Sequence, residues 1–154
     1  MIFQGSKRYP VKEIIVHCSA TTRSWMAKAR TSEKVAEIRR WHVEDNGWRD
    51  IGYHLVIDRD GTVAAGRGLT EIGAHVVGHN NGTLGICLIG GGASSAEDSF
   101  GDHFTDTQAK ALLEQIARLK RLTRIERVSG HNQYAAKACP GFYVPGWLKQ
   151  MGAA

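Results

Sequence analysis

The run Ile14-Ile15-Val16-His17-Cys18 limits the fold more than any other stretch of this chain. It is continuously apolar and β-branched up to His17, with no polar residue in alternation. A strand of that kind has to be covered on both faces. Leu84-Gly85-Ile86-Cys87-Leu88-Ile89 repeats the pattern. A sheet built on such strands needs helical layers, which makes the chain an α/β (or α+β) protein with a mixed central sheet flanked by helices. Its 154 residues fit a single domain and can bury a core without disulfides.

The helices are legible. Thr31 or Ser32 can cap a helix running to about Asp45, with Val35, Ile38, Trp41 and His42 on one stripe and Asn46-Gly47 as its stop. Thr105-Asp106-Thr107-Gln108 is a capping box that starts a second helix. Its apolar stripe is Ala109, Leu112, Leu113, Ile116 and Leu119. Val144 to Met151 reads as a short closing helix. Tyr53 to Asp58 reads as a strand, turned by Asp60-Gly61 into Thr62-Val63-Ala64. Gly66 to Asn81 and Gly90 to Gly101 are loops. Residues 1–12 are expected to form a flexible arm, so the domain proper spans 13–154.

Composition removes several classes. There is no run of eighteen apolar residues, so no membrane insertion is expected. Met1 to Val11 carries Lys7 and Arg8 but lacks the apolar stretch of a secretory leader, which points to the cytoplasm. Three cysteines, an odd and small number, argue against a disulfide framework and leave thiols free for a metal. A net charge of +5 permits attraction to anionic surfaces. No basic array is interleaved with aromatics, so no direct nucleic-acid partner is expected. The chain is expected to be a monomer.

The chemistry concentrates in His131-Asn-Gln-Tyr-Ala-Ala-Lys137-Ala-Cys139. Pro140-Gly141 breaks regular structure directly after it, so a shaped loop presents these groups. An imidazole and a thiolate can give zinc two ligands, and a catalytic zinc takes three with one position left for water. His17 offers the third. Side chains alternate along a strand, so His17 and Cys18 point to opposite faces and only one of them can serve the site. Cys18 reads as a packed small hydrophobe. Spacing alone does not select this set, because seven histidines allow many combinations.

Five blocks narrow the choice: VHCSAT (Val16 to Thr21), EIRRWH (Glu37 to His42), GWRDIGYHLVIDRDGTVAAGR (Gly47 to Arg67), GAHVVGHNNGTLGICLIGG (Gly73 to Gly91) and AAKACPGF (Ala135 to Phe142). In content and order they resemble the zinc-dependent N-acetylmuramoyl-L-alanine amidases of the amidase-2 and peptidoglycan-recognition superfamily, most of all its small phage endolysins. The resemblance implies one zinc ion per chain, held by His17, His131 and Cys139. It implies catalytic roles for Tyr53 and Lys137, and a substrate groove lined by His75 and Asn80. Peptidoglycan is the implied substrate, and a phage RNA polymerase an implied further partner. Release from the host cytoplasm through a holin-type pore follows from the same likeness. His79 departs from the pattern by standing where relatives often carry an aromatic ring.

Two rival readings compete. A glycosidase needs two carboxylates, one of them with a raised pKa, and no acidic residue here has the apolar context that would raise it. The other rival is an interaction protein acting mainly as an RNA polymerase inhibitor.

Overall fold

The computed structural model describes residues 1–154. Seven strands form in chain order: β1 (Phe3–Gln4), β2 (Tyr9–Pro10), β3 (Glu13–Cys18), β4 (Leu55–Ile57), β5 (Val63–Ala65), β6 (Thr83–Leu88) and β7 (Arg127–Gly130). The helices are α1 (Thr31–Arg40), α2 (Phe100–His103), α3 (Asp106–Leu122) and α4 (Val144–Gln150). The central sheet has the order β5-β4-β6-β3-β7. Strands β4, β6, β3 and β7 run parallel, and β5 closes one edge antiparallel to β4. This is the mixed sheet that the sequence implies, with its two continuously apolar strands side by side at the centre.

Alternation along those strands separates two cores. Ile14, Val16 and Cys18 pair in register with Leu84, Ile86 and Leu88. They join Leu112, Ile116, Leu119, Phe142 and Trp147 in the larger cluster, on the α3 and α4 side. Val56, Cys87 and Ile89 face the other way, against Val35 and Ile38 of α1. His17, paired with Cys87, therefore emerges on the α1 side, opposite Cys18. No helix is long and apolar enough to cross a membrane.

The expected capping box forms. Gln108 N–H donates to Thr105 Oγ1, and Thr105 N–H donates to Gln108 Oε1, both at 3.1 Å. The Gln108 side chain is fully buried, and its Nε2 also donates to the Ile57 and Ile89 carbonyls. One residue thus starts α3 and ties it to the carboxyl ends of β4 and β6. Helix α1 continues as a single π-helical stretch over Trp41–Asp45 and stops at Asn46-Gly47, where Gly47 takes φ +74°.

The N-terminus corrects the sequence reading. Residues expected as a flexible arm form the β1–β2 hairpin, and Val11 is fully buried. Its fastening is polar. Gln4 is fully buried, donates to the Thr83 carbonyl at 2.8 Å and accepts from Gly82 N–H at 2.9 Å. The long loop from Gly66 is likewise pinned by buried Arg67, which donates to the carbonyls of Asp50, Ile51 and Ile72. Nor is Gly90 to Gly101 featureless. Thr21 bridges Gly91, Ser95 and Asp98 close a turn, and α2 starts at Phe100.

Candidate active site

Parallel pairing of β3 with β7 brings His17 and His131, two of the expected metal ligands, together. Val16 stands opposite Gly130, so His17, the next residue on β3, and His131, the first residue past β7, lie at the same level. Their ring centroids are 4.7 Å apart. They lie at the carboxyl ends of the strands, where open α/β sheets bind ligands. The loop after His131 is closed by Asn132, whose Nδ2 donates to the Ala138 and Phe142 carbonyls. That closure returns Cys139 to the strand end. Its Sγ accepts from the Cys18 N–H at 3.2 Å and lies 3.8 Å from His17 Nδ1.

These three residues fit a zinc ion. One ligand atom from each lies within 4.8 Å of the others. Zinc–nitrogen bonds of about 2.0 Å and a zinc–sulfur bond of about 2.3 Å would put tetrahedral ligands roughly 3.6 Å apart, so the widest spacing would have to close by about 1 Å. The donor set is chemically apt as well. Burial holds His17 well below the usual imidazole range, with His75, His131, His54 and Lys137 adding to the effect. His131 is lowered by burial and by Lys137. Both imidazoles are thus neutral, as ligands must be. The Cys18 thiol beside it, and burial, hold the Cys139 thiol protonated, while the Cys18 amide pulls the other way. A cation bound there would replace that proton.

Behind the ligands stands a row of buried imidazoles. His17 Nε2 lies 2.8 Å from His75 Nδ1, and His75 Nε2 lies 3.2 Å from Thr83 Oγ1. His75 packs flat over Gly85, where a Cβ would sit 2.7 Å from the imidazole Cγ. Gly85 is therefore a slot rather than a weak point in β6. His54 accepts from Gly85 N–H at Nδ1 and reaches the Glu71 carbonyl through Nε2. His42 accepts from Gly52 N–H at Nδ1. Every buried side-chain nitrogen and oxygen in the molecule has a partner.

Tyr53 and Lys137 both lie near the three-residue group. The Tyr53 ring lies 5.2 Å from His17 and 5.3 Å from His42. Burial raises its hydroxyl well above the ordinary phenol range, so Tyr53 keeps its proton near neutral pH. Lys137 is exposed on the ridge between two depressions. One, of about 650 Å³, is lined by Trp48, His75, Val77, Asn80, His131 and Lys137. The other, of about 280 Å³, includes Ala93, Ser94, Lys137 and Cys139. Neither lining contains a carboxylate.

His75 and Asn80, expected in a substrate groove, do line the larger depression. His75 is only 8% exposed, and both its ring nitrogens are engaged by protein. Asn80 Oδ1 accepts from the His75 and Val76 amides, which shapes the loop that carries His75. Sequence reasoning missed Thr83 and Gly85 as parts of this site. The available signal was a glycine in mid-strand, which marks a close approach. It also missed Val77, which is 96% exposed at the mouth of the cleft.

A mixed sheet carrying a His/His/Cys group at the carboxyl edge of its parallel strands defines an α/β domain whose donor group could hold a metal ion. Comparison with known proteins gives the family. The sequence profile described as N-acetylmuramoyl-L-alanine amidase matches residues 7–142, and the chain belongs to that family. An endolysin of Klebsiella phage KP32 is 42% identical over 147 residues, covering 96% of this chain and 91% of that protein. The endolysin of Escherichia phage T7 is 38% identical over the same shares of each chain. Among solved structures, bumblebee PGRP-SA superposes with a TM-score of 0.75 at 28% identity, covering 97% of this chain and 84% of that one. The amidase LysCS of Clostridium intestinale shares the fold with a TM-score of 0.72, at 23% identity over 95% of this chain and 86% of its own.

Proposed function

We propose that this chain is a phage endolysin that hydrolyses the amide between N-acetylmuramic acid and L-alanine in peptidoglycan, with one zinc ion held by His17, His131 and Cys139. The observation that carries it is the convergence of those three ligand atoms within 4.8 Å, at the edge of an open cleft. When bound, zinc supplies a Lewis acid that polarises a carbonyl and acidifies water.

The remaining roles belong to the chain. An amide resists attack because resonance stabilises it and its amine leaves poorly. Negative charge gathers on the former carbonyl oxygen as the bond to water forms. Lys137, the cation on the ridge between the two depressions, stabilises that charge. Tyr53, protonated beside His17, orients the carbonyl or water and helps pass a proton to the leaving nitrogen. With no carboxylate in either lining, the glycosidase alternative lacks its acid–base pair there.

Wall-clearing assays with metal analysis and product analysis test this. One zinc per chain is expected, with clearing lost on chelation and restored by zinc. New products should carry free L-alanine amino groups and no new reducing ends. Reducing ends without free amino groups would overturn the assignment. Host lysis further requires access to the wall, for which a holin-type pore is the proposed route. A phage RNA polymerase partner rests on family likeness alone, and no residue described above carries it.

A further inference from the structure

The buried groups behind the metal ligands form a directed chain of hydrogen bonds. We infer that Thr83 and His75 are positioning residues that fix the tautomer of His17, leaving its Nδ1 bare and aimed at the metal position.

The direction follows from Thr83. Its hydroxyl has a single proton. Oγ1 lies 2.8 Å from the His79 carbonyl and 3.1 Å from the Asn80 carbonyl, and carbonyls only accept. The proton is committed to them, so towards His75 the Thr83 oxygen is an acceptor. His75 Nε2, 3.2 Å away, must carry a hydrogen. A neutral imidazole with a proton on Nε2 has a lone pair on Nδ1. That lone pair faces His17 Nε2 at 2.8 Å, so His17 in turn holds its proton on Nε2. His17 Nδ1 is left with a free lone pair, on the side facing Cys139 Sγ at 3.8 Å.

Neutrality of the relay is supported by its surroundings. No carboxylate touches either ring, so nothing in the relay holds a second proton on His75 or His17. Geometry is fixed from three sides. Gly85 provides the floor, the Asn80 side chain grips the His75 backbone, and β6 carries both Gly85 and Thr83. Because β3 pairs with β6 in register, the relay and the ligand it orients are set by one parallel ladder.

The reversed polarity would be costly. If His75 carried its proton on Nδ1, His17 Nε2 would have to accept it, and the His17 proton would move to Nδ1. That proton would occupy the metal's place. Metal-ligating histidines are commonly oriented by such outer partners, whose loss weakens metal affinity by roughly 10- to 100-fold.

Imidazole nitrogen spectra of the metal-free protein at pH 7.5 test the inference directly. The expected result is His17 protonated at Nε2 and bare at Nδ1, with His75 in the same tautomer. Thr83→Val removes the hydroxyl with little change of shape. It should leave His17 in mixed tautomers and weaken zinc binding about 10-fold in chelator competition. Thr83→Ser restores the hydroxyl and should restore both readouts. His17 protonated at Nδ1 in the wild type would overturn the relay. So would a folded Thr83→Val protein whose His17 tautomer and zinc affinity both match the wild type. Only the affinity readout rests on the zinc reading. A wild-type protein that binds no zinc would sink that reading, and the nitrogen spectrum would still decide the relay.

Discussion

Cys139 carries the sharpest residue-scale consequence. Its sulfur is the one soft donor in the ligand group, and a thiolate favours zinc over harder cations. Cys139→Ser should abolish stoichiometric zinc and wall clearing together while leaving the fold intact by circular dichroism. Lys137 behaves differently, because it is no member of the ligand group. Lys137→Ala should retain one zinc and lose about 10²-fold in kcat, the usual effect of removing one donor to a developing oxyanion. A wild-type kcat in that variant would remove Lys137 from the mechanism. Tyr53→Phe should also keep its zinc and lose turnover, since only the phenol hydroxyl goes. Legibility at this scale was uneven. Strand alternation separated His17 from Cys18, and Pro140-Gly141 marked the loop that delivers Cys139. The partnership of His17 with His75 and Thr83 was hidden, because it depends on β3–β6 register, which no local pattern states.

Elements were legible where their own residues carried the signal. The Thr105–Gln108 capping box and the α3 stripe describe themselves, and so do the two continuously apolar strands. The β1–β2 hairpin does not. Its strands are two residues each, too short for any period to show. What seats it is the amide of Gln4, exchanging hydrogen bonds with Gly82 and Thr83 at the entrance to β6. Gln4→Ala strands a buried N–H and a buried carbonyl, at about 1–3 kcal/mol for each group left unsatisfied. The variant should show a lower urea midpoint. Because Thr83 also belongs to the His75 relay, the same change is expected to loosen zinc binding without touching a ligand. A Gln4→Ala protein with an unchanged midpoint would mean that the hairpin contributes nothing to holding β6.

At the scale of the whole molecule, several imidazoles are buried uncharged. His42 and His54 are both held below the ordinary imidazole range, chiefly by burial. Each accepts from a backbone N–H at Nδ1, a bond that the protonated ring cannot make. The consequence for stability has a definite sign. An unfolded histidine takes up a proton near pH 6.5, whereas these folded ones resist it to lower pH. Between those values the unfolded state binds more protons, so stability falls as pH falls. The lowered carboxylates belong to a different window. Asp98, held at about 2 by His103 and the Ser95 turn, contributes stability above its unfolded value near 4 and loses it only as pH drops through about 2. The interval from pH 6.5 to 5 therefore belongs to the histidines. The metal-free protein should show a urea midpoint that is flat from pH 8 to 7 and declines steadily from 6.5 to 5. Replacing His54 by Gln, which keeps a donor and an acceptor but cannot titrate there, should flatten that decline even if it lowers the midpoint at every pH. A decline of unchanged slope in a folded His54→Gln protein would show that this buried ring does not govern the acid response.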